Sequence, residues 1–415
     1  MTNNPVISDH EFSLQQAVTT RIHEVATDIH KQTLSNERVD VYGGKPGVAL
    51  TFAWLGNFFP DKQYMDIAFE LLDQLIDDLG NTEWSPDRGA ELAGAAFVLQ
   101  HLQNNGIIDE NDDLGLEAVD EFLLTSAPYF AGNRNWDPLL GITPMGIYFL
   151  ERYRKTGNPQ PLEIITGLLI GLSSKYEGYD VWITPGHYYQ PNDCLNFGMA
   201  HGMPGLISFL SKVYATGIKT GELEPMVNSC IQFLLSKQNP ADSVSQFPSY
   251  IFPELNEDES KLSRLGWCYG DLGMSFALIH WGMATAQPEL IKQGTAFALN
   301  TTSRSMESIA CTDAPLCHGS AGLVHQYNRL YGYTNEPAFK AAAQVWIKNT
   351  LEHYYLPGKG VGGYPFMTYD EEKKATFPKS HASLLEGAAG VALALASALF
   401  DEPPAWDALF LTNLK

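Results

Sequence analysis

Leu316-Cys317-His318-Gly319-Ser320-Ala321-Gly322 sets a cysteine and a histidine directly before two glycines three residues apart. The glycine pair is the part that repeats. It returns as Gly44-Lys45-Pro46-Gly47, Gly202-Met203-Pro204-Gly205, Gly270-Asp271-Leu272-Gly273 and Gly387-Ala388-Ala389-Gly390. A degraded copy, Glu91-Leu92-Ala93-Gly94, has glutamate for the first glycine, and Gly141-Ile142-Thr143-Pro144-Met145-Gly146 is a copy stretched by two residues. The seven copies stand from 47 residues apart (Gly44 to Glu91) to 68 apart (Gly202 to Gly270). Such spacing is close to that at which a repeat marks one supersecondary unit.

Each copy leads into an apolar stretch of helical period: Leu206, Phe209, Leu210 and Val213 after Gly205, and Val324, Tyr327 and Tyr331 after Gly322. A second helical stretch lies between copies, as in Met65, Ala68, Leu72, Leu75, Ile76 and Leu79, and over Glu163–Tyr176, Met226–Lys237 and Ala338–Tyr354. The expected fold is therefore all-α: an α/α toroid of seven helical hairpins, with an inner and an outer ring. The chain reads as one domain, 1–415. Two long connections, 175–196 and 354–381, read as small β-containing insertions on the rim: Tyr179–Thr184 resembles a strand before Pro185-Gly186, and 354–381 is rich in glycine and aromatics. Seven helix N-termini on one rim make a site that favours anions and thiolates.

The net charge of −22 disfavours nucleic acid and anionic lipid as partners. Five scattered cysteines, Cys194, Cys230, Cys268, Cys311 and Cys317, are too few for a disulfide framework in 415 residues. Residues 1–30 carry no signal-peptide pattern, and the longest apolar run, Val391–Phe400, is too short to span a bilayer. The expectation is a reduced, soluble, cytoplasmic protein.

Gly266-Trp267-Cys268-Tyr269-Gly270 supplies a second cysteine just before a glycine motif. Cys268, Cys317 and His318 together form a three-ligand zinc set of the catalytic kind, with a fourth position left for water or substrate. Two buried structural thiols are the alternative. His201 stands immediately before Gly202, the register His318 occupies before Gly319. Arg264, four residues before Cys268, offers a cation for a developing oxyanion. Asp137, four residues before Gly141, offers a carboxylate to orient His201. Trp267 and Tyr269 fit core packing and substrate contact equally well.

These motifs inside seven glycine repeats resemble the lanthionine synthetase C-like family, and most closely its stand-alone lantibiotic cyclases, along essentially the whole chain. The resemblance implies an α/α toroid, zinc on Cys268, Cys317 and His318, and active-site roles for His201, Arg264, Asp137 and Tyr269. It implies a zinc-dependent cyclase that adds peptide cysteine thiols to dehydroalanine or dehydrobutyrine, forming thioether rings. Arg264 is then the candidate to stabilise the enolate and His201 to protonate it. The implied partner is a dehydrated precursor peptide, leader plus core, with a dehydratase and a transporter as candidate companions. Two rivals stand beside this reading. One is a glycosidase using Asp137 and Glu386; the other is a non-catalytic relative that binds glutathione or peptide thiols through zinc.

Overall fold

The structure, a computed structural model, describes residues 5–7, 12–33, 38–186, 192–254, 262–370, 374–400 and 405–414. In chain order the helices are α1 (Phe12–Thr33), α2 (Lys45–Phe58), α3 (Tyr64–Asn81), α4 (Gly89–Asn104), α5 (Leu116–Gly132), α6 (Thr143–Thr156) and α7 (Gln160–Gly171). They continue as α8 (Met203–Ala215), α9 (Thr220–Ser236), α10 (Asp271–Ala284), α11 (Pro288–Thr301), the single turn α12 (Met306–Ile309), α13 (Ser320–Thr334), α14 (Pro337–Glu352) and α15 (Ala388–Ser397). The helices that follow the glycine motifs, α2, α4, α6, α8, α10, α13 and α15, form the inner ring. The outer ring is α1, α3, α5, α7, α9, α11 and α14. Closure comes from α15 packing against α2, with α1 laid over both. The fold is the expected α/α toroid.

Composition separates the rings. Inner helices are buried over most of their length, and every residue of α15 is buried, as a helix packed on both faces requires. Outer helices bury one stripe, such as Tyr64, Ala68, Leu71, Leu72 and Leu75 on α3. Ile76, expected in that stripe, is 44% exposed and belongs to the outer surface. Pro46, Pro144 and Pro204 sit in the first turns of α2, α6 and α8, where a missing N–H costs nothing.

The second glycine of the motif is a close-approach residue. A Cβ on Gly47, Gly205, Gly322 or Gly390 would lie 2.0–2.1 Å from the carbonyl oxygen six residues earlier, on Val41, Met199, Leu316 or Leu384. The loop thus folds back onto its own helix in the same way four times. The two irregular copies have separate causes. In the degraded one, α4 starts three residues early at Gly89, so Glu91 lies inside the first turn and takes Arg88's guanidinium at 2.8 Å. In the stretched one, Gly141 N–H bonds the Asp137 carbonyl at 3.0 Å, as Gly44 bonds Asp40 and Gly319 bonds Pro315. The register therefore holds up to Gly141. Gly146 instead makes room for a neighbouring helix, since a Cβ there would strike the Phe209 ring of α8 at 2.3 Å.

Among the described residues, three antiparallel strand pairs decorate the loops. They are β1 (Ser174–Tyr176) with β2 (Tyr179–Val181), β3 (Leu195–Asn196) with β4 (Tyr250–Ile251), and β5 (Phe366–Asp370) with β6 (Ala375–Lys379). The helix expected over Glu163–Tyr176 ends at Gly171. Its last residues instead become β1, because Glu177 and Gly178 (φ +51° and +87°) make a two-residue hairpin turn that commits both flanks to strand. The strand expected over Tyr179–Thr184 is regular only to Val181, and Thr184 continues by bridging Cys194. Residues 187–191 of the 175–196 insertion lie outside the described residues. Among the described residues no helix is long and apolar enough to cross a membrane.

Candidate metal centre and active site

The rim loops are stitched together at one register. Two residues before the first glycine stand Ala200, Cys268, Cys317, Leu385 and Tyr42, in copies four, five, six, seven and one. Ala200 N–H bonds the Cys268 carbonyl at 3.3 Å, and Cys268 N–H bonds the Cys317 carbonyl at 3.0 Å. Cys317 N–H then bonds the Leu385 carbonyl at 3.1 Å, and Leu385 N–H the Tyr42 carbonyl at 3.0 Å. This main-chain ladder sets Cys268 against Cys317. It also brings the residues one position later, His201, Tyr269, His318 and Glu386, onto a common arc.

The Sγ atoms of Cys268 and Cys317 and a ring nitrogen of His318 lie within 4.8 Å of one another. Tetrahedral zinc with Zn–S near 2.3 Å separates two sulfurs by about 3.8 Å, so the donor set fits that ion and leaves one position free. The close approach is built in at Gly266, where a Cβ would come 3.0 Å from the His318 Cα. A hydrogen bond from Cys317, then the hydrogen bond and charge of His318 and the charge of Arg264, hold Cys268 well below the usual thiol range despite burial. Its partner Cys317 is pushed up by that shared hydrogen bond and by burial. The thiolate is the metal-ligating form, so the shift on Cys268 runs in the direction ligation needs.

His201 Nδ1 lies 2.8 Å from Asp137 Oδ2. A carboxylate only accepts, so Nδ1 carries the proton and Nε2 is left for a substrate. Asp137 is itself fixed, its Oδ1 accepting from the Leu139 and Leu140 amides at 2.7 and 2.9 Å. Burial pulls the imidazole's pKa down, but Asp137's charge and hydrogen bond, with Cys268 behind them, raise it above 6.5 overall. Arg264 is half-buried and acts electrically on Cys268, Cys317, His318 and Asp313. The Tyr269 hydroxyl accepts from Asn196 Nδ2 at 3.0 Å, and its ring leaves no room for a Cβ on Gly198. Trp267 is a packing residue, its Nε1 donating to the Phe410 carbonyl at 2.9 Å.

Sequence reasoning missed Asp313. Its Oδ2 lies 3.9 Å from His318 Nε2 and accepts from Met367 N–H at 2.9 Å. Its buried Oδ1 has no partner among the described residues. A carboxylate behind a ligating histidine fixes the ring and raises its basicity. The signal was present in the repeat: six residues before the first glycine stand Asn196, Arg264, Asp313 and His381 in copies four to seven, polar every time.

The chain belongs to the lanthionine synthetase C-like protein family, whose model matches residues 35–411. It is 23% identical over 373 residues to the nisin biosynthesis protein NisC of Lactococcus lactis subsp. lactis, covering 81% of this chain and 83% of that relative. The solved structure of nisin cyclase superposes with a TM-score of 0.74 at 17% identity, over 95% of this chain and 97% of the other, and shows the shared fold. An inactive variant of an α-1,6-mannanase of Salegentibacter in complex with α-1,6-mannotriose also aligns, with 14% identity over 91% and 99% of the two chains. At a TM-score of 0.44 it bears on nothing here.

Proposed function

We propose that the protein is a zinc-dependent lanthionine cyclase that closes thioether rings in a dehydrated precursor peptide. The observation that carries the reading is the coexistence, on one rim, of a Cys-Cys-His donor set and a histidine oriented by a carboxylate. Cys268, Cys317 and His318 would hold the ion. Zinc bound there would keep an incoming cysteine as thiolate at neutral pH, where a free thiol of pKa near 8.5 is mostly protonated. The thiolate sulfur attacks the substrate's Cβ, the C=C electron pair moves onto the carbonyl, and a proton must then reach Cα. Arg264 supplies positive charge for the enolate oxygen, and His201 delivers the proton from Nε2 while Asp137 stabilises the protonated ring. Tyr269, fixed by Asn196, walls the site.

The binding-only alternative needs the three donors but has no use for the Asp137–His201 pair. The glycosidase alternative needs a free carboxylate at Asp137, and both of its oxygens are engaged. On the cyclase reading, residues 1–415 work as one domain, with 175–196 and 354–381 as loops over the substrate. A dehydratase and a transporter would act before and after it, in the cytoplasm. The experiment is metal analysis coupled to proton release. The purified protein should carry about one zinc per chain, and binding a thiol peptide at neutral pH should liberate a proton, detected by calorimetry in buffers of different ionisation enthalpy. A chain that stays metal-free in zinc-containing medium contradicts the proposal.

A further inference from the structure

Ten residues after the first-glycine position, every inner helix carries a buried or nearly buried side chain able to hydrogen-bond. In copies four to seven these are Lys212, His280, Arg329 and Ser397. At 1.5 Å per residue this layer lies about 15 Å along the ring axis from the metal-bearing rim. The segment Ala405–Leu414 packs against this layer in copies four to seven. Lys212 Nζ and His280 Nε2 both donate to the Asn413 carbonyl at 3.0 Å. Arg329 Nε reaches Asp407 Oδ2 at 2.6 Å, and His325, one turn earlier, adds a contact to the same oxygen at 3.1 Å. Trp406 Nε1 donates to Ser397 Oγ at 3.0 Å. In the first three copies the same register holds Trp54, His101 and Glu151, and the last two pair with each other at 3.4 Å.

From this layer the segment reaches the metal loop. The Phe410 carbonyl takes Trp267 Nε1 at 2.9 Å, and its ring meets that of Trp267 edge-on at 5.1 Å. Trp267 adjoins Cys268, and the amides of both donate to the Cys317 carbonyl at 3.0 Å. Asp407 is fully buried. Burial works against its charge, yet Arg329 and His325 override that effect and hold it well below the usual carboxylate range. A buried charge so compensated is costly to displace, because removing it leaves the Arg329 charge without its carboxylate.

We infer that Ala405–Leu414 is a plug that closes the ring from the end opposite the metal centre, and that Phe410 positions Cys268 through Trp267. The inference rests on the metal reading of Cys268, so its test has one readout with zinc and one without. Full-length Phe410→Ala, Phe410→Leu and Asp407→Asn are compared with the unsubstituted chain, after circular dichroism has verified helix content. The first readout is zinc transfer to a chromogenic chelator. The second is the alkylation rate of Cys268 in the metal-stripped chain, located by mass spectrometry.

Phe410→Ala and Asp407→Asn should weaken zinc binding by about 10–100-fold, the usual weight of a residue supporting a ligand. Both should also quicken Cys268 alkylation as the loop opens locally. Phe410→Leu should move both readouts less, and carries the test alone if the alanine variant does not fold. Faster alkylation in a chain that binds no zinc upholds the plug and sinks the metal reading. Normal zinc affinity with unchanged alkylation in all three variants overturns the plug.

Discussion

The two halves of this ring share one fold and differ in what they carry. Copies four to seven place His201, Tyr269, His318 and Glu386 immediately before the first-glycine position, while copies one to three place Gly43, Ala90 and Leu140 there. Loop length explains the difference. The chain passes from α3 to α4 through residues 82–88 and from α5 to α6 through 133–142. The corresponding connections in the other half are 172–202, 237–270, 302–319 and 353–387. The short copy-one loop accepts the last rung of the ladder through the Tyr42 carbonyl, whereas the long loops carry Cys268, Cys317 and the side chains beside them. Asp137 is the quiet half's side-chain contribution among the described residues, and it acts through His201 on the neighbouring copy. In an α/α toroid, then, the repeat builds the scaffold and the long connections build the chemistry.

The largest break in this comparison comes from the metal donors. Cys268→Ala or Cys317→Ala should lose most of the bound zinc and, with it, measurable cyclisation; atomic emission after dialysis against a chelator reads the first loss. Next is His201→Asn, which should keep zinc and slow ring closure by roughly two to four powers of ten, the weight of one general acid. Asp137→Asn should act through the same histidine. Because Asp137 raises the His201 pKa, the protonated acid survives to higher pH than an ordinary imidazole, and the rate falls as pH climbs through that raised value. Removing the charge should move this alkaline limb of the pH–rate profile to lower pH, leaving zinc content unchanged.

The smallest effect sharpens the contrast. Leu140 is 59% exposed in the quiet half, and Leu140→Ala should change zinc content not at all and stability by no more than about 0.5 kcal/mol. A larger loss there would mean that the quiet half takes part in the chemistry by more than Asp137.

Much of this was legible because the repeat states it. The glycine spacing shows where each inner helix begins, and the cysteines and histidines stand at fixed distances from it. What escaped reading obeys non-local rules. Pairing of Leu195-Asn196 with Tyr250-Ile251 joins two-residue strands far apart in the chain, too short for any alternation to show. The end of α7 at Gly171 depends on a hairpin turn at Glu177-Gly178 that competes with a helix-compatible pattern. Asp313 looks like an ordinary loop aspartate until the copies are superposed on their first glycines, when it falls at the register of Arg264 and Asn196. Glu91 and the stretched third copy are local substitutions within an intact scaffold.

Counting free thiols tests the central claim most directly. A dehydrated peptide bearing one cysteine and one dehydroalanine is incubated with the zinc-loaded protein, then alkylated and weighed by mass spectrometry. Ring closure is an isomerisation, so the account predicts unchanged peptide mass with one thiol fewer available to the alkylating agent, and no such loss with His201→Asn on the same timescale. Peptide thiols that remain alkylatable at the uncatalysed rate, at full zinc occupancy, would contradict it and leave Cys268, Cys317 and His318 as a binding device.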